Sequence, residues 1–242
     1  MKYVFIIVVF LMSFSVQAQE KPEIRDDYIK VSFKDLSKTY WWLSLHDISE
    51  QKAVDEFARI HDCDVYRRYY RNDFQWERIR QGIAEELKRN RASFPNRYYV
   101  VIPLFLNRYD FESQAFEFKD NSKMDNVNFI NILDKSDFEG YCELKDSVLE
   151  YPDVVNVSFK DAFNLPNLPL SQGRANDLVM NMNDNNNKNR AVFLKLNFRI
   201  SGYDGLVASA TYNTANLKGV VESYEIFEDP DLKILLLSNK VR

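Results

Sequence analysis

His61-Asp62-Cys63-Asp64 is the string in this chain with the most chemistry in it. A thiol beside an imidazole can act as nucleophile and base, with a carboxylate orienting the ring. The same three residue types can also hold a metal. Against this, adjacent residues diverge in direction. Cys63 also has a simpler use, because Cys142 is the only other cysteine. Two cysteines allow one intramolecular pairing, and in an oxidising compartment that pairing is favoured. His61, Cys63 and Asp64 therefore stand as catalytic candidates beside the disulfide Cys63–Cys142. No residue set is read as metal-binding and no cofactor is implied. The chain contains no Gly-x-Ser-x-Gly elbow, no phosphate-cradling glycine loop and no His-Glu-x-x-His helix.

Binding chemistry is carried by three other groups. Trp41 and Trp42 are neighbours in an aromatic run, which points at least one of them across an interface or beneath a loop. Tyr66, Arg67, Tyr69, Tyr70 and Arg71 interleave rings with guanidinium groups. Such a segment can stack on a ligand, or lie along a helix with its arginines reaching water. Tyr109-Asp110 and Tyr203-Asp204 each follow a strongly apolar run, at a strand end where binding residues and turn-forming residues both occur.

The elements that must position these groups are legible in the spacing. Val31-Ser32-Phe33-Lys34-Asp35 recurs as Val157-Ser158-Phe159-Lys160-Asp161, and alternation around both copies predicts a strand in each. The alternating residues of 98–106 likewise match those of 192–200. This predicts two related lobes, 19–151 and 152–242. Helical spacing predicts a helix over 49–61 and another over 73–91 with Asp73 as N-cap. The stripe of the second is Phe74, Ile79, Ile83 and Leu87, laid on a lobe-one sheet. A short helix follows Ser171, with Ala175, Leu178, Val179 and Met182 as its stripe. Further strands are expected at 115–119, 126–133, 206–212, 219–227 and 232–237. The fold class is α+β, with mostly antiparallel strands and extra helices in the first lobe.

The chain has 242 residues, 45% hydrophobic and 28% charged, a globular balance that argues against disorder. Residues 1–18 read as a signal peptide. Lys2 is the basic end, Tyr3 to Phe14 the apolar run, and Val16 and Ala18 the small residues before cleavage. Loss of Lys2 takes the net charge from −4 to about −5. A mildly acidic chain lacks the basic footprint of a nucleic-acid binder. No later stretch approaches the roughly 20 apolar residues of a membrane helix.

The leading expectation is an exported, periplasmic or extracellular, non-catalytic protein of a bacterial envelope that binds a protein or a surface component. A secreted hydrolase using carboxylate or His/Cys chemistry, and a small-ligand binder with aromatic walls, are the alternatives. Exported material should begin at Gln19. Intact-mass measurement checks this, and a mass that retains residues 1–18 refutes it.

Overall fold

The computed structural model describes residues 27–133, 142, 151–184, 187–208 and 213–241. The signal segment 1–18 and most of the connection 134–150 lie outside the described residues. The described elements are, in chain order, β1 (Ile29–Lys30), α1 (Phe33–Trp42), α2 (Gln51–His61), α3 (Cys63–Tyr69), α4 (Asp73–Asn90), β2 (Arg97–Asp110), β3 (Ala115–Phe118), β4 (Met124–Leu133), β5 (Val154–Leu165), β6 (Asn167–Pro169), α5 (Gln172–Asp184), β7 (Ala191–Ala208), β8 (Asn213–Phe227) and β9 (Leu235–Lys240). This is an α+β fold. Its sheet runs β4-β5-β8-β7-β2-β3-β6, with β1 added beside β2 and β9 beside β8. Among the described residues only β1–β2 and β5–β8 pair in parallel.

That order corrects the two-lobe expectation. Strands from the two predicted lobes share one sheet and pair across the boundary: β4 with β5, β2 with β7 and β3 with β6. The two matching apolar strands are not superposable copies but antiparallel neighbours, with Tyr98 opposite Phe198, Val100 opposite Leu196, Ile102 opposite Leu194 and Leu104 opposite Val192. Their likeness reflects a shared environment at the centre of one sheet. Alternation reports which face of a strand is buried, and it carries no information on which strand lies next to it.

The repeated five-residue string makes the same point. In its second copy Val157 and Phe159 are buried in β5, and the Ser158 hydroxyl donates to the carbonyl of Leu217 at 3.1 Å. In the first copy Ser32 is the N-cap of α1, its Oγ accepting the Asp35 amide at 3.1 Å. Capping with an acidic residue three positions on stabilises a helix start. Phe33, Leu36 and Tyr40 then fall on one buried helical face. In the second copy the alternation instead continues through Phe163 and Leu165. The flanking residues decide between helix and strand.

Helix α1 is fastened to the sheet through Tyr98, which is fully buried. Its hydroxyl donates to the carbonyl of Asp35 at 3.0 Å and meets the Thr39 hydroxyl at 2.5 Å. The main core lies on this side of the sheet, under α1 and α5, with Leu178, Leu194, Leu196 and Phe198 at its centre. A second core is purely helical: Trp41 of α1, Val54 and Phe57 of α2, and Trp76, Ile83 and Leu87 of α4. The expected stripe of α4 is therefore corrected in two respects. Phe74 is 87% exposed and Trp76, at 2%, takes its place, and the stripe packs on α2 rather than on the sheet. Trp76, Ile83 and Leu87 keep the helical period, whereas Phe74 lies about 160° round the helix from Trp76. Asn72, not Asp73, caps the helix, its Oδ1 accepting the Gln75 amide at 3.1 Å. Asp55 of α2 ties the two helices together, accepting from Trp76 Nε1 at 2.8 Å and from Arg80 Nε at 2.7 Å.

Cys63, the first residue of α3, is disulfide-bonded to Cys142, with Cα atoms 5.5 Å apart and a separation of 79 residues. Closing a loop of that length stabilises by about 4 kcal/mol in the chain-entropy view. It joins the start of α3 to Cys142, a residue that follows β4 in the chain.

The two apolar residues of α4 should respond in opposite ways. Ile83→Asp buries an unpaired charge and should cost about 3 kcal/mol or more. Phe74→Asp should change stability by less than about 0.5 kcal/mol. Urea midpoints check both, and equal effects would show that this face of α4 is misassigned.

Candidate functional site

On the face of the sheet opposite the main core, Arg97 of β2 stands directly across from Arg199 of β7. Like charges in opposed positions destabilise a sheet and call for an anion between them. Glu222 of β8 supplies it, and a β-bulge puts it there. Asn197 pairs with Ser223 and Phe198 with Val221, leaving Glu222 as the extra residue. The burial pattern slips by one residue at the same place: Leu217, Gly219 and Val221 are buried before it, Tyr224 and Ile226 after it. Bulges re-aim side chains in this way and favour functional positions.

The Glu222 carboxylate is fully engaged. Arg199 Nε lies 2.9 Å from Oε1, Arg97 Nε 3.3 Å from Oε2, and the Tyr28 hydroxyl donates to Oε2 at 2.6 Å. Burial alone would raise this carboxyl. The hydrogen bonds from Tyr28 and Arg199, with the charges of Arg97 and Arg199, outweigh burial and hold it below its ordinary value. Burial and the same bond to Glu222 push the Tyr28 phenol up to about 12. Arg97 also lies over the Tyr28 ring, 5.9 Å from its centre. Glu222 is thus a fixed, ionised organiser and not a proton donor at neutral pH. A second polar row follows: Asn197 donates to the Ser223 hydroxyl at 3.0 Å, and Lys195 pairs with Glu225 at 3.1 Å while sitting over the Tyr99 ring at 5.0 Å.

Beside the bulge the sheet forks. β5 runs alongside β8 from Val154 to Phe159, opposite Thr214 to Gly219. Gly219 permits that contact, because the Cβ of any other residue would collide with Val157 Cγ1 and lie 3.2 Å from Phe159. Past Phe159, β5 keeps only β4 as a ladder partner among the described residues. On the same edge of β8, β9 joins at Ser223 opposite Lys240, and the Val241 amide donates to the Glu222 carbonyl at 3.0 Å. Between β5 and β9, at Val220 and Val221, lies a cavity of about 470 Å³. Phe159, Phe163, Val221 and Val241 make its apolar walls, and Arg97, Lys160, Asp161, Glu222 and Lys240 its charged ones.

None of the catalytic or binding candidates taken from the sequence lines this cavity, although Phe159, Lys160 and Asp161 of the repeated five-residue string do. Cys63 holds its sulfur in the disulfide, which removes it as a resting nucleophile. His61 ends α2, its Nε2 2.9 Å from the Ser37 hydroxyl and its ring tilted against Phe57 with ring centres 4.2 Å apart. Burial, with Lys38 and Lys34 adding, lowers the His61 ring to about 3, so it is neutral in the folded protein. Asp64 is exposed in the first turn of α3. Trp41 is fully buried in the helical core and Trp42 half-buried. Tyr66 stacks on Tyr70 and both meet Trp76 edge to face, so these rings pack on one another although Tyr70 stays partly exposed, while Arg67 and Arg71 face water and Arg68 lies over Tyr69. The Tyr109 hydroxyl donates to the Leu170 carbonyl at 2.8 Å, and Asp110 accepts from the Ser113 hydroxyl and the Glu112 amide, an ordinary turn. Tyr203 packs against the main core, and Asp204 pairs with Lys218 at 2.9 Å. Among the described residues no group of three His, Cys, Asp or Glu side chains could hold a metal ion, and no helix is long and apolar enough to cross a membrane.

The site residues that the spacing did not reveal are Tyr28, Arg97, Arg199 and Glu222, with Lys160 and Lys240. One signal was available: the apolar alternation of 215–226 changes phase across Glu222. A family model described as a domain of unknown function (DUF4852) matches residues 49–181, more than half of the chain. The match takes in α2 to β6 and most of α5, and so contains Arg97 and the β5 wall of the fork. No curated protein and no solved structure matches the chain.

The neutral, buried His61 predicts a definite pH response. Its folded value lies below its unfolded one, so below about 6.5 the unfolded chain binds the proton that the folded chain refuses. Its contribution is complete above pH 6.5 and is lost as pH falls towards 3, by up to about 1.4 kcal/mol per pH unit. The window from 6.5 down to about 4.5 belongs to His61 and not to Glu222, which titrates lower. In His61→Gln, urea-derived stabilities at pH 7, 6 and 5 should show a shallower slope than the wild type. An unchanged slope would mean that the ring titrates normally.

Proposed function

We propose that this chain, which belongs to the DUF4852 family of domains of unknown function, is an exported, non-catalytic binding protein of a bacterial envelope, and that the fork between β5 and β9 is where its partner enters. The observation that carries this reading is the pair of strand edges flanking the cavity. Beyond Phe159, β5 has no ladder partner on its inner edge, and β8 lacks one at Val220 and Val221 among the described residues. Unpaired edges of this kind are templates for an added strand, and native proteins normally cover them. Here the gap lies beside the bulge and is lined with aliphatic and phenylalanine side chains, a surface suited to an extended polypeptide. The basic, apolar and small residues of 1–18 support export, and a disulfide suits an oxidising compartment.

The rival chemistries find less support. A hydrolase using the His61–Cys63 region lacks a free thiol, and one using Glu222 lacks a carboxylate free to exchange protons. An aromatic-walled ligand site would need converging tryptophan or tyrosine faces, and Trp41, Trp76, Tyr66 and Tyr69 are instead packed in the helical core.

A photo-crosslinking residue placed at Val220, which is 43% exposed, should trap another polypeptide in intact cells. The same residue at Phe111, exposed outside the cavity, should not. No adduct from position 220, or the same adduct from both positions, overturns the assignment of the fork.

A further inference from the structure

The charges around the fork do not balance, and the imbalance bears on what enters it. Glu222 is consumed by Tyr28, Arg199 and Arg97. Among the described residues Asp161 is then the remaining acidic group on the walls, against Lys160, Lys240 and an Arg97 that shares Glu222 with Arg199. Lys160 extends from β5 and Lys240 from β9, so the two ammonium groups come from opposite walls of the gap. Both residues are exposed, and neither meets a carboxylate within ion-pair distance among the described residues. Arg97 is only loosely held, at 3.3 Å from Glu222 and 3.7 Å from Asp27, with side-chain exposures of 44% and 60% for Arg97 and Asp27. Its guanidinium therefore retains donors for a further acceptor. A cationic mouth is unexpected in a chain whose net charge is −4. Like-charged groups held at one cleft, with an apolar floor beneath, concentrate ligands of opposite sign.

We propose that the fork selects an extended polypeptide segment carrying a carboxylate, with an apolar residue on Phe159, Phe163 and Val221 and the carboxylate between Lys160, Lys240 and Arg97. The inference rests on the reading of the fork as a strand-accepting site and adds the chemistry of the occupant. The carboxylate can come from an acidic side chain or from a chain terminus, and the two sources present the same group to the lysines.

Three labelled probes distinguish these possibilities: acetyl-Val-Val-Glu-Val-amide, acetyl-Val-Val-Gln-Val-amide, and acetyl-Val-Val-Gln-Val with a free C-terminal carboxylate. Binding to the full disulfide-bonded chain is read by fluorescence polarisation, and its location by amide shifts at Val220 and Phe163. The Glu peptide should bind about five- to ten-fold more tightly than the Gln amide, the range expected of partly screened ion pairs. That preference should shrink as salt is raised. The free-terminus peptide shows whether a terminal carboxylate substitutes for the side chain. In the double variant Lys160→Gln, Lys240→Gln the Glu and Gln amides should converge, while urea midpoints stay within experimental scatter of the wild type. If the two amides bind the wild type equally at the fork, the charge selection is wrong and the strand-accepting site stands. If no peptide shifts Val220 or Phe163, the strand-accepting site itself falls, and the inference with it.

Discussion

Strand β8 pairs with β7 along its whole length, but its other edge is divided between two strands that approach from opposite directions. The parallel strand β5 covers the first half, as far as Gly219. The antiparallel strand β9 covers the second, from Ser223. A backbone that must be hydrogen-bonded on both edges tolerates such a changeover only where solvent or another group can reach the gap. The fork, the bulge and the cluster around Glu222 are consequences of that single handover.

The handover also accounts for the local electrostatics. Arg97 and Arg199 are brought face to face by the β2–β7 register, which the apolar side of the same strands dictates. Tyr98, Val100, Leu194, Leu196 and Phe198 must point into the core, so their outward neighbours have no freedom to avoid one another. The bulge at Glu222 relieves the repulsion by turning one carboxylate towards both guanidinium groups. With that carboxylate engaged, the nearby lysines carry the net charge of the gap. A constraint from the core thus sets the charge of a surface cleft about one strand width away.

The helical layer is a separate solution to a separate problem. α2 and α4 bury their stripes against each other and Trp41, with Asp55, Trp76 and Arg80 joined by directed hydrogen bonds, and the disulfide at Cys63 ties that layer to Cys142 further along the chain. Rings and imidazoles that looked reactive in the sequence are absorbed there. His61 is a neutral packing residue against Phe57, and Tyr66 and Tyr70 are edge-to-face partners of Trp76.

What the sequence determined by itself was local or arithmetical. The helices α2, α4 and α5, the long apolar strands β2 and β7 and the α+β class follow from periodicity over ten or so residues, where the buried face and the hydrogen-bonding pattern are set by near neighbours. The disulfide followed from there being two cysteines and one way to join them. What only the tertiary structure decided was adjacency. Nothing local could place Arg97 opposite Arg199, set Phe198 beside Tyr98 instead of upon a duplicate of it, or open a gap between β5 and β9. The two copies of Val-Ser-Phe-Lys-Asp make the boundary plain. The five residues suit a capped helix and a half-buried strand about equally, and the residues that follow, together with the surfaces they meet, select one or the other.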